Sequence, residues 1–371
     1  MALMTRARRP LALMMGLALA LPGLAMVVAP REGVSKIENR VLAAPPAWPD
    51  SPAAWRRLPR SLDAYLADHF AFRQPLVLAN MRLEKKLGGR TGVAEAVEGR
   101  DGWLFLSDGL LQSTGRILDP AQADDYAAFA CAVGARLQRG GARAIFTLVP
   151  SPGEIYPEHT PTWAGPPRRP TDYDRVLAGV RRCGVAALDL RPVLIAAKAQ
   201  GPLFRTTDSH WTPRGALLAY DALATAIGHA DWTLAAKRSA WPMVYRSDGD
   251  LQRLAGREAR VEAVAIHDWV HLPPDSRRSG IEGVTSNMGR PFVVETGRAG
   301  PTVLIVGDSF TVDSLPPLFA RFVGQVAWIH QDECAFDWRT IQRLKPDYVL
   351  LAASEREARC RRGRPLNMPA R

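Results

Sequence analysis

The apolar residues of this chain follow two alternating spacings along most of its length. Spacings of three and four residues, which place apolar side chains on one helix face, predict helices over 121–137, 172–182, 212–228 and 315–322. Short apolar runs rich in β-branched residues predict strands over 144–149, 185–190, 302–306, 326–330 and 347–352. Strands that alternate with helices in this way are typical of an α/β fold, here a parallel sheet with helices on both faces.

Other segments interrupt the alternation. Residues 31–60 are rich in proline, alanine and arginine and predict a linker with little structure, whereas 61–87 carry helical spacing. Residues 99–102 predict a turn between two short strands. The long stretch 232–298 predicts an irregular insertion.

The first 30 residues have the pattern of a targeting segment. Arg6, Arg8 and Arg9 precede a run without charge over 11–29, which is about the length needed to cross a bilayer. We expect an uncleaved membrane anchor, with a cleaved signal peptide as the alternative. Either one leaves the basic start inside and exports the rest, so a bacterial periplasmic protein anchored in the inner membrane is predicted. The predicted division is 1–30 signal or anchor, 31–60 linker and 61–371 catalytic domain.

The chain is basic, with a formal net charge of +11 contributed mostly by arginine. Such a charge favours attraction to an acidic polymer, such as a uronic-acid polysaccharide, or to an anionic membrane surface. A genomic bias toward arginine explains the charge at least as well. Basic-aromatic patterns and zinc-finger spacings are absent from the sequence, so no nucleic-acid partner is predicted.

Four cysteines suit an oxidising compartment and allow three disulfide pairings. Pairing of nearest neighbours, Cys131 with Cys183 and Cys334 with Cys360, is the simplest prediction; free buried thiols are the alternative. No Cys-x-x-Cys element is present, so these residues do not predict a metal site.

Two short motifs carry the candidate chemistry. Gly307-Asp308-Ser309-Phe310 follows the strand predicted over 302–306, which places Ser309 at the carboxyl end of a parallel strand, where α/β sheets bind ligands. In Asp208-Ser209-His210-Trp211 the acid and the imidazole are two residues apart and point to the same side of an extended segment. Together the motifs offer a nucleophile, a base and an orienting acid.

The order of these motifs resembles the alginate O-acetylase family of the AlgJ/AlgX type, relatives of the SGNH hydrolases in which Asp-x-His precedes the serine. Further segments agree in the same order: Glu38-Asn39-Arg40, Asp68-His69-Phe70-Ala71-Phe72-Arg73, Gly102-Trp103-Leu104-Phe105-Leu106, Ile155-Tyr156-Pro157-Glu158, Gly249-Asp250-Leu251, Lys345-Pro346-Asp347 and Glu355-Arg356. The similarity spans roughly residues 37–357 and implies an SGNH-hydrolase-like, flavodoxin-like sheet.

Chemistry and resemblance assign the same roles. Ser309 is the expected nucleophile, His210 the general base, and Asp208 the acid that fixes the imidazole tautomer. The resemblance implies an O-acetyltransferase that passes acetyl through an acyl-serine to hydroxyls of an exported polysaccharide, alginate-like or another exopolysaccharide. It also implies a membrane-bound O-acyltransferase partner that supplies acetyl. The predicted reaction uses no cofactor and no metal. A carbohydrate acetylesterase and a non-catalytic polysaccharide-binding or scaffold subunit are the alternatives.

Several further residues are weaker candidates. The Ser309 amide is the natural first oxyanion donor; Asn287 and Arg356 could supply a second, although ordinary structural roles are favoured for both. Asp308 is predicted to form the turn rather than join the triad, and Trp211 either shapes the pocket or packs in the core. His267-x-Trp269-x-His271 lacks a third metal ligand at useful spacing, so a surface segment is favoured. Trp269, Trp232 and Trp241 could stack on sugars, but core packing is favoured.

Overall fold

The computed structural model describes residues 34–35, 40–70, 76, 96–234, 243–255, 257, 261–266, 268–284, 291–335 and 338–360. Two compact units divide the chain, Met1–Val93 and Ala94–Arg371. The predicted targeting segment, residues 1–30 with its apolar run 11–29, lies outside the described residues. Among those that are described, no helix combines the length and the apolar character needed to cross a bilayer.

The first unit contains a short antiparallel pair, β1 (Val34–Ser35) and β2 (Arg40–Val41), and helix α1 (Pro52–His69). This helix begins inside the segment 31–60, for which the sequence predicted little structure, and it ends well before residue 87. The early start has a local cause: the Ser51 side chain accepts a hydrogen bond from Ala54 N, and Pro52 occupies the first turn, where its missing N–H costs nothing. The boundaries predicted at residues 30 and 60 stay predictions.

A seven-stranded sheet forms the centre of the second unit. Its strands are β5 (Arg143–Val149), β6 (Ala186–Asp189), β9 (Arg277–Gly280), β10 (Phe292–Glu295), β11 (Thr302–Gly307), β12 (Gln325–His330) and β13 (Tyr348–Ser354). Their spatial order is β6-β5-β13-β11-β12-β10-β9. The first five in spatial order are parallel, as the alternating pattern predicts. Each lies within about two residues of its predicted position.

The sheet is mixed rather than wholly parallel, because β10 pairs antiparallel with β12 and β9 pairs antiparallel with β10. Both strands come from the stretch 232–298, which the sequence predicted to be irregular. The sequence pattern of β9 was weak for a physical reason: its four residues, Arg-Arg-Ser-Gly, are all exposed and show no apolar alternation. The same stretch contains the antiparallel hairpin β7 (Met243–Asp248) and β8 (Val261–Ile266).

Helices cover both faces of the sheet, as predicted. They are α2 (Ser107–Ser113), α3 (Pro120–Arg139), α4 (Pro152–Ile155), α5 (Asp172–Arg182), α6 (Arg191–Ala197), α7 (Pro213–Ala226), α8 (Asp250–Leu254), α9 (Ser309–Val312), α10 (Pro316–Phe319) and α11 (Trp338–Leu344). A further short pair, β3 (Ala96–Glu98) and β4 (Leu104–Leu106), encloses the predicted turn 99–102. Alternate residues of β11 enter two separate cores: Val303 and Ile305 pack with α7, whereas Leu304 and Val306 pack with α3 and α5.

Two disulfides confirm the predicted pairing of nearest neighbours. Cys131 of α3 is bonded to Cys183, the residue after α5, and Cys334 is bonded to Cys360. No free cysteine occurs, since these four are all the cysteines of the chain. The first bond therefore joins two helices that already pack side by side on one face of the sheet.

Candidate active site

Ser309, His210 and Asp208 meet at the carboxyl end of β11. His210 Nε2 lies 3.0 Å from Ser309 Oγ across a sequence separation of 99 residues. On the other side of the ring, His210 Nδ1 lies 2.8 Å from Asp208 Oδ1. These are hydrogen-bond distances, and they place a base between a hydroxyl and an orienting carboxylate. The arrangement can move a proton off Ser309 and hold the resulting imidazolium.

The turn after β11 fixes the position of Ser309. A side chain at Gly307 would meet Thr311 Oγ1 at 2.1 Å and Ala352 O at 2.8 Å, so only glycine fits where the strand ends. Asp308 then caps α9, since its Oδ1 accepts from Phe310 N at 3.0 Å and its Oδ2 from Ser354 N at 2.6 Å. Asp308 therefore forms the turn, as predicted. Ser309 is the first residue of the helix, where amides have no intrahelical acceptor, so its N–H is free of helix hydrogen bonding and suits an oxyanion.

Charges around the imidazole tune its proton affinity. Burial by itself would lower the pKa of His210, but the hydrogen bond and charge of Asp208, with further contributions from Asp250 and Asp308, raise it above the ordinary value. Burial likewise opposes ionisation of Asp208, but the hydrogen bonds and charge of His210, together with the charge of Arg205, lower the Asp208 pKa. Both shifts favour the ion pair that forms when His210 takes a proton.

Two carboxylates to which the sequence assigned no role hold the Asp-x-His segment. Glu262 of β8 accepts hydrogen bonds from the backbone amides of Thr206 and Thr207 and from both hydroxyls, at 3.0–3.2 Å. Asp250 accepts from Ser209 N at 2.7 Å and from Ser209 Oγ at 2.5 Å. The motif Gly249-Asp250-Leu251 was visible in the sequence, but nothing local indicates that it contacts a segment 41 residues away.

The same region is where a metal could be held. Within the described part of the chain, Asp208, His210 and Asp250 offer ligand atoms within 4.8 Å of one another. Those atoms already serve the hydrogen bonds of the imidazole and of Ser209. The donor set therefore fits hydrogen bonding at least as well as metal ligation, and the chemistry of Ser309 calls for no metal.

A cavity of about 400 Å³ opens beside Ser309 and His210. Its lining includes Arg205, Trp211, Trp269, His271, Phe310 and Asp313. Trp211 both packs and shapes this wall, because it is buried and its indole N–H donates to Phe310 O at 3.0 Å.

The other weaker candidates are scattered. Trp232 stacks on His229 in the core, with ring centroids 3.7 Å apart, and does not line the cavity. Arg356 pairs with Glu357 at 3.0 Å and borders a separate, smaller cavity with Ser151 and Ser354. The second oxyanion donor therefore stays unassigned. Asn287, His267 and Trp241 lie outside the described residues.

Comparison with known proteins gives a family. The family described as "SGNH hydrolase-like domain, acetyltransferase AlgX" matches residues 96–324. The probable alginate O-acetylase AlgJ of Pseudomonas syringae pv. tomato is 34% identical over 140 residues, 38% of this chain and 34% of that protein. Its counterpart in Pseudomonas aeruginosa is 33% identical over 128 residues, 34% of this chain and 31% of that protein. The similarity thus spans about a third of the length of these relatives.

Solved structures show likeness at lower identity. The O-acetyltransferase domain of Pseudomonas putida AlgJ aligns with a TM-score of 0.44 and 20% identity, over 71% of this chain and 91% of that chain. Bacillus cereus PatB1 aligns with a TM-score of 0.47 and 14% identity, over 72% and 98%. The family match alone covers more than half of the sequence and includes both motifs. The chain therefore belongs to the AlgX family of SGNH hydrolase-like domains.

Proposed function

We propose that this protein is an O-acetyltransferase that acetylates hydroxyl groups of an exported polysaccharide through an acetyl-serine at Ser309. The observation that carries the proposal is the line of hydrogen bonds from Ser309 Oγ through His210 to Asp208, at 3.0 and 2.8 Å. Membership of a family described as acetyltransferase supports the reaction, and relatives named alginate O-acetylase support the class of acceptor.

The proposed reaction has two matched halves. In the first, Ser309 Oγ attacks the acetyl carbonyl of the donor while its proton passes to His210 Nε2; the donor's leaving oxygen then takes that proton. In the second, an acceptor hydroxyl gives its proton to Nε2 and attacks the acetyl-serine, and Ser309 recovers the proton as it leaves. The Ser309 amide stabilises the oxyanion in both halves. Water in place of the sugar hydroxyl would give net hydrolysis.

The cavity beside the triad suits a sugar acceptor. Its volume of about 400 Å³ exceeds that needed for water, and Trp211, Trp269 and Phe310 give it aromatic walls beside the charged Arg205. Aromatic faces and a few polar groups are the usual lining of carbohydrate-sized sites. These features support transfer over hydrolysis, although the triad serves both.

Cellular placement completes the proposal. The charge-free run 11–29 would hold the protein in the inner membrane, with residues 61–371 as the catalytic domain in the periplasm. The two disulfides suit that oxidising compartment. A membrane-bound O-acyltransferase would deliver acetyl from the cytoplasmic side.

Acyl-enzyme trapping tests the nucleophile. Incubation with an activated acetyl ester should add one acetyl mass to the protein, and peptide sequencing should place it on Ser309. Ser309→Ala should abolish the adduct, because no other hydroxyl contacts His210 Nε2 among the described residues. Ser314→Ala is the matched control, since Ser314 lines the same cavity and its hydroxyl donates to Phe310 O. An equal yield of adduct on Ser309→Ala would refute the assignment.

Product analysis separates the alternatives. Transfer predicts that an acceptor oligosaccharide gains the acetyl group, whereas an esterase would release free acetate with no gain in the oligosaccharide. A scaffold role predicts that Ser309→Ala and His210→Ala leave polymer acetylation in cells intact while deletion of the protein abolishes it.

A further inference from the structure

We propose that Asp250 is a positioning residue that fixes the proton of His210 on Nδ1, acting through the hydroxyl of Ser209. The inference rests on the proposed function, because it concerns the base that activates Ser309. Asp250 is the first residue of α8, which lies in the connection between β7 and β8. It belongs to a different element from either motif of the triad.

Ser209 connects Asp250 to the imidazole of His210. Its amide and its hydroxyl both bond Asp250, at 2.7 and 2.5 Å, so the carboxylate holds this residue at two points. A carboxylate only accepts, so the Ser209 hydroxyl is the donor in the second bond. That hydroxyl has one proton, and the bond to Asp250 uses it.

Because the Ser209 hydroxyl donates its proton to Asp250, it can only accept a hydrogen bond from the imidazole. Ser209 Oγ lies 3.3 Å from His210 Nδ1, and with its proton turned to Asp250 it presents only a lone pair. Nδ1 must then carry the proton, which it shares with Asp208 Oδ1 at 2.8 Å. Nε2 is left as the acceptor for the Ser309 hydroxyl, the tautomer that a general base requires.

The charge of Asp250 also acts electrostatically on the His210 imidazole. Asp250 Oδ2 lies 3.7 Å from His210 Nδ1, so two negative charges face the same ring nitrogen. Charged groups that act on this imidazole include Asp208, Asp250 and Asp308, with Arg205 bonded to Asp208 at 3.5 Å. Asp313 and His271 line the same cavity. Removal of the Asp250 charge should therefore lower the pKa of His210.

The surroundings hold Asp250 rigidly. A side chain at Gly249 would lie 1.7 Å from Thr207 O, which shows how closely the two segments approach. Asp250 N also points at Asp208 Oδ2 at 3.4 Å, and Leu251 N bonds Thr207 O at 3.2 Å. Asp250 thus cannot leave Ser209 without displacing this backbone.

The first test is the rate of acetyl-enzyme formation against pH for Asp250→Asn. The new amide N–H₂ would face Ser209 Oγ as a donor and free the hydroxyl to donate to Nδ1, which favours the wrong tautomer. We expect the acylation rate to fall roughly tenfold or more with little change in KM for the ester. The rising acid limb of the profile should move by about one pH unit toward acid.

Glu262→Gln is the matched control, because Glu262 supports the same segment through Thr206 and Thr207 and makes no contact with the imidazole. It should lower the rate without moving the acid limb. An Asp250→Asn profile that falls without shifting would overturn the role at His210 and leave only a structural one. A profile identical to that of the parent would overturn the inference entirely.

Two further measurements test the path through Ser209. Nitrogen-15 NMR of labelled histidine should show the proton on Nδ1 in the parent and partly on Nε2 in Asp250→Asn. In a Ser209→Ala background, Asp250→Asn should lower the rate much less than in the parent, since the hydroxyl it misdirects is gone; an undiminished effect would rule out this path. Should Asp250→Asn not fold, Ser209→Ala alone should slow acylation several-fold, and an unchanged rate would count against the proposal.

Two outcomes of the acylation experiments separate the proposed function from the role of Asp250. If the parent protein forms no acetyl adduct at Ser309, the proposed function fails. If the parent forms the adduct and Asp250→Asn matches it at every pH, the function stands and the role of Asp250 does not.

Discussion

Glu355 is buried and directly follows β13. Because β13 is parallel to β11 and pairs with it, Glu355 and Ser309 lie at the same end of the sheet. Its Oε2 accepts a hydrogen bond from Ser151 N at 3.0 Å. Burial, followed by the charge of nearby Glu154, raises the pKa of Glu355 to about 8. Arg169 and Arg191 form ion pairs with Glu154 rather than with Glu355. The folded protein therefore keeps a proton on Glu355 at neutral pH.

That proton makes stability fall as pH rises. An unfolded chain loses it near pH 4.5, whereas the folded state keeps it to about pH 8. Between those values the folded state binds more protons, so the free energy of unfolding decreases with pH. Glu355→Gln should remove this contribution and raise the free energy of unfolding at pH 8 by roughly 4 kcal/mol, because each pKa unit between the unfolded and folded states corresponds to about 1.4 kcal/mol.

Thermal unfolding between pH 5 and pH 8 measures the effect. Glu295→Gln serves as the control, since Glu295 is an exposed partner of Arg277 at the sheet edge and should leave the slope unchanged. Parallel curves for the parent and Glu355→Gln would show that Glu355 ionises normally.

At the scale of single residues, the sequence identified the candidate catalytic residues but not the residues that hold them in position. Ser309, His210 and Asp208 stand in short motifs whose residue types and spacing indicate a role. Asp250 and Glu262 act across 41 and 56 residues, on a stretch with little periodicity, so no local pattern links them to the triad.

The hairpin β7–β8 is the element that braces the Asp-x-His segment. It provides Glu262 from β8, and Gly249 and Asp250 from the chain that leaves β7. Gly249 lies so close to Thr207 O that any side chain there must push the two segments apart. The geometry of His210 thus depends on a hairpin that contributes no reacting atom.

Gly249→Ala should therefore damage the site. Its methyl group would sit 1.7 Å from Thr207 O, and the resulting displacement should cost about 1–3 kcal/mol of stability and most of the acylation rate. Denaturant unfolding and acetyl-ester turnover measure the two effects. Gly280→Ala is the matched control, because the nearest atom to a methyl group there is Pro291 O at 4.0 Å. If both variants behave alike, close packing at Gly249 is not what holds the segment.

The elements themselves were largely predictable, for a reason visible in the sheet. Four of the five parallel strands, β5, β11, β12 and β13, are buried at every position but the first and consist of nearly continuous apolar runs, as in Val303–Val306 of β11. Helices α3, α5 and α7 present one apolar face and were recognised by its spacing. Strand β9 escaped recognition because it is an exposed edge strand without apolar alternation, and β10 because it has only four residues, too few to show a clear period.

Considered as a whole, the molecule keeps the disulfide Cys131–Cys183 away from its reactive end, because Cys183 comes just before β6 begins. Cys131–Cys183 joins α3 to the end of α5 on one face, whereas Ser309 and His210 lie at the carboxyl ends of the strands. The bond closes a loop with a sequence separation of 52 residues. Cross-links stabilise mainly by restricting the unfolded chain, so their effect does not require contact with the site.

Replacement of both cysteines by serine should lower the free energy of unfolding by about 4 kcal/mol, the value that loop-closure entropy gives for such a separation. Acylation of the folded variant should match that of the parent. Denaturant midpoints and acetyl-ester kinetics provide the two readings. Loss of acylation in a variant that remains folded would mean that the bond shapes the site as well as the stability.

The position of β13 has a consequence for when the enzyme can first act. This strand comes last along the chain, yet it lies in the middle of the sheet, between β5 and β11. Strands β5 and β6, which precede His210 in the chain, lie on one side of β13, and β11, which leads to Ser309, lies on the other side. Residues 348–354 therefore join two separate parts of the sheet. A chain still being synthesised would contain both parts and remain inactive, and acetyl transfer would begin only once residues 348–354 have joined the sheet.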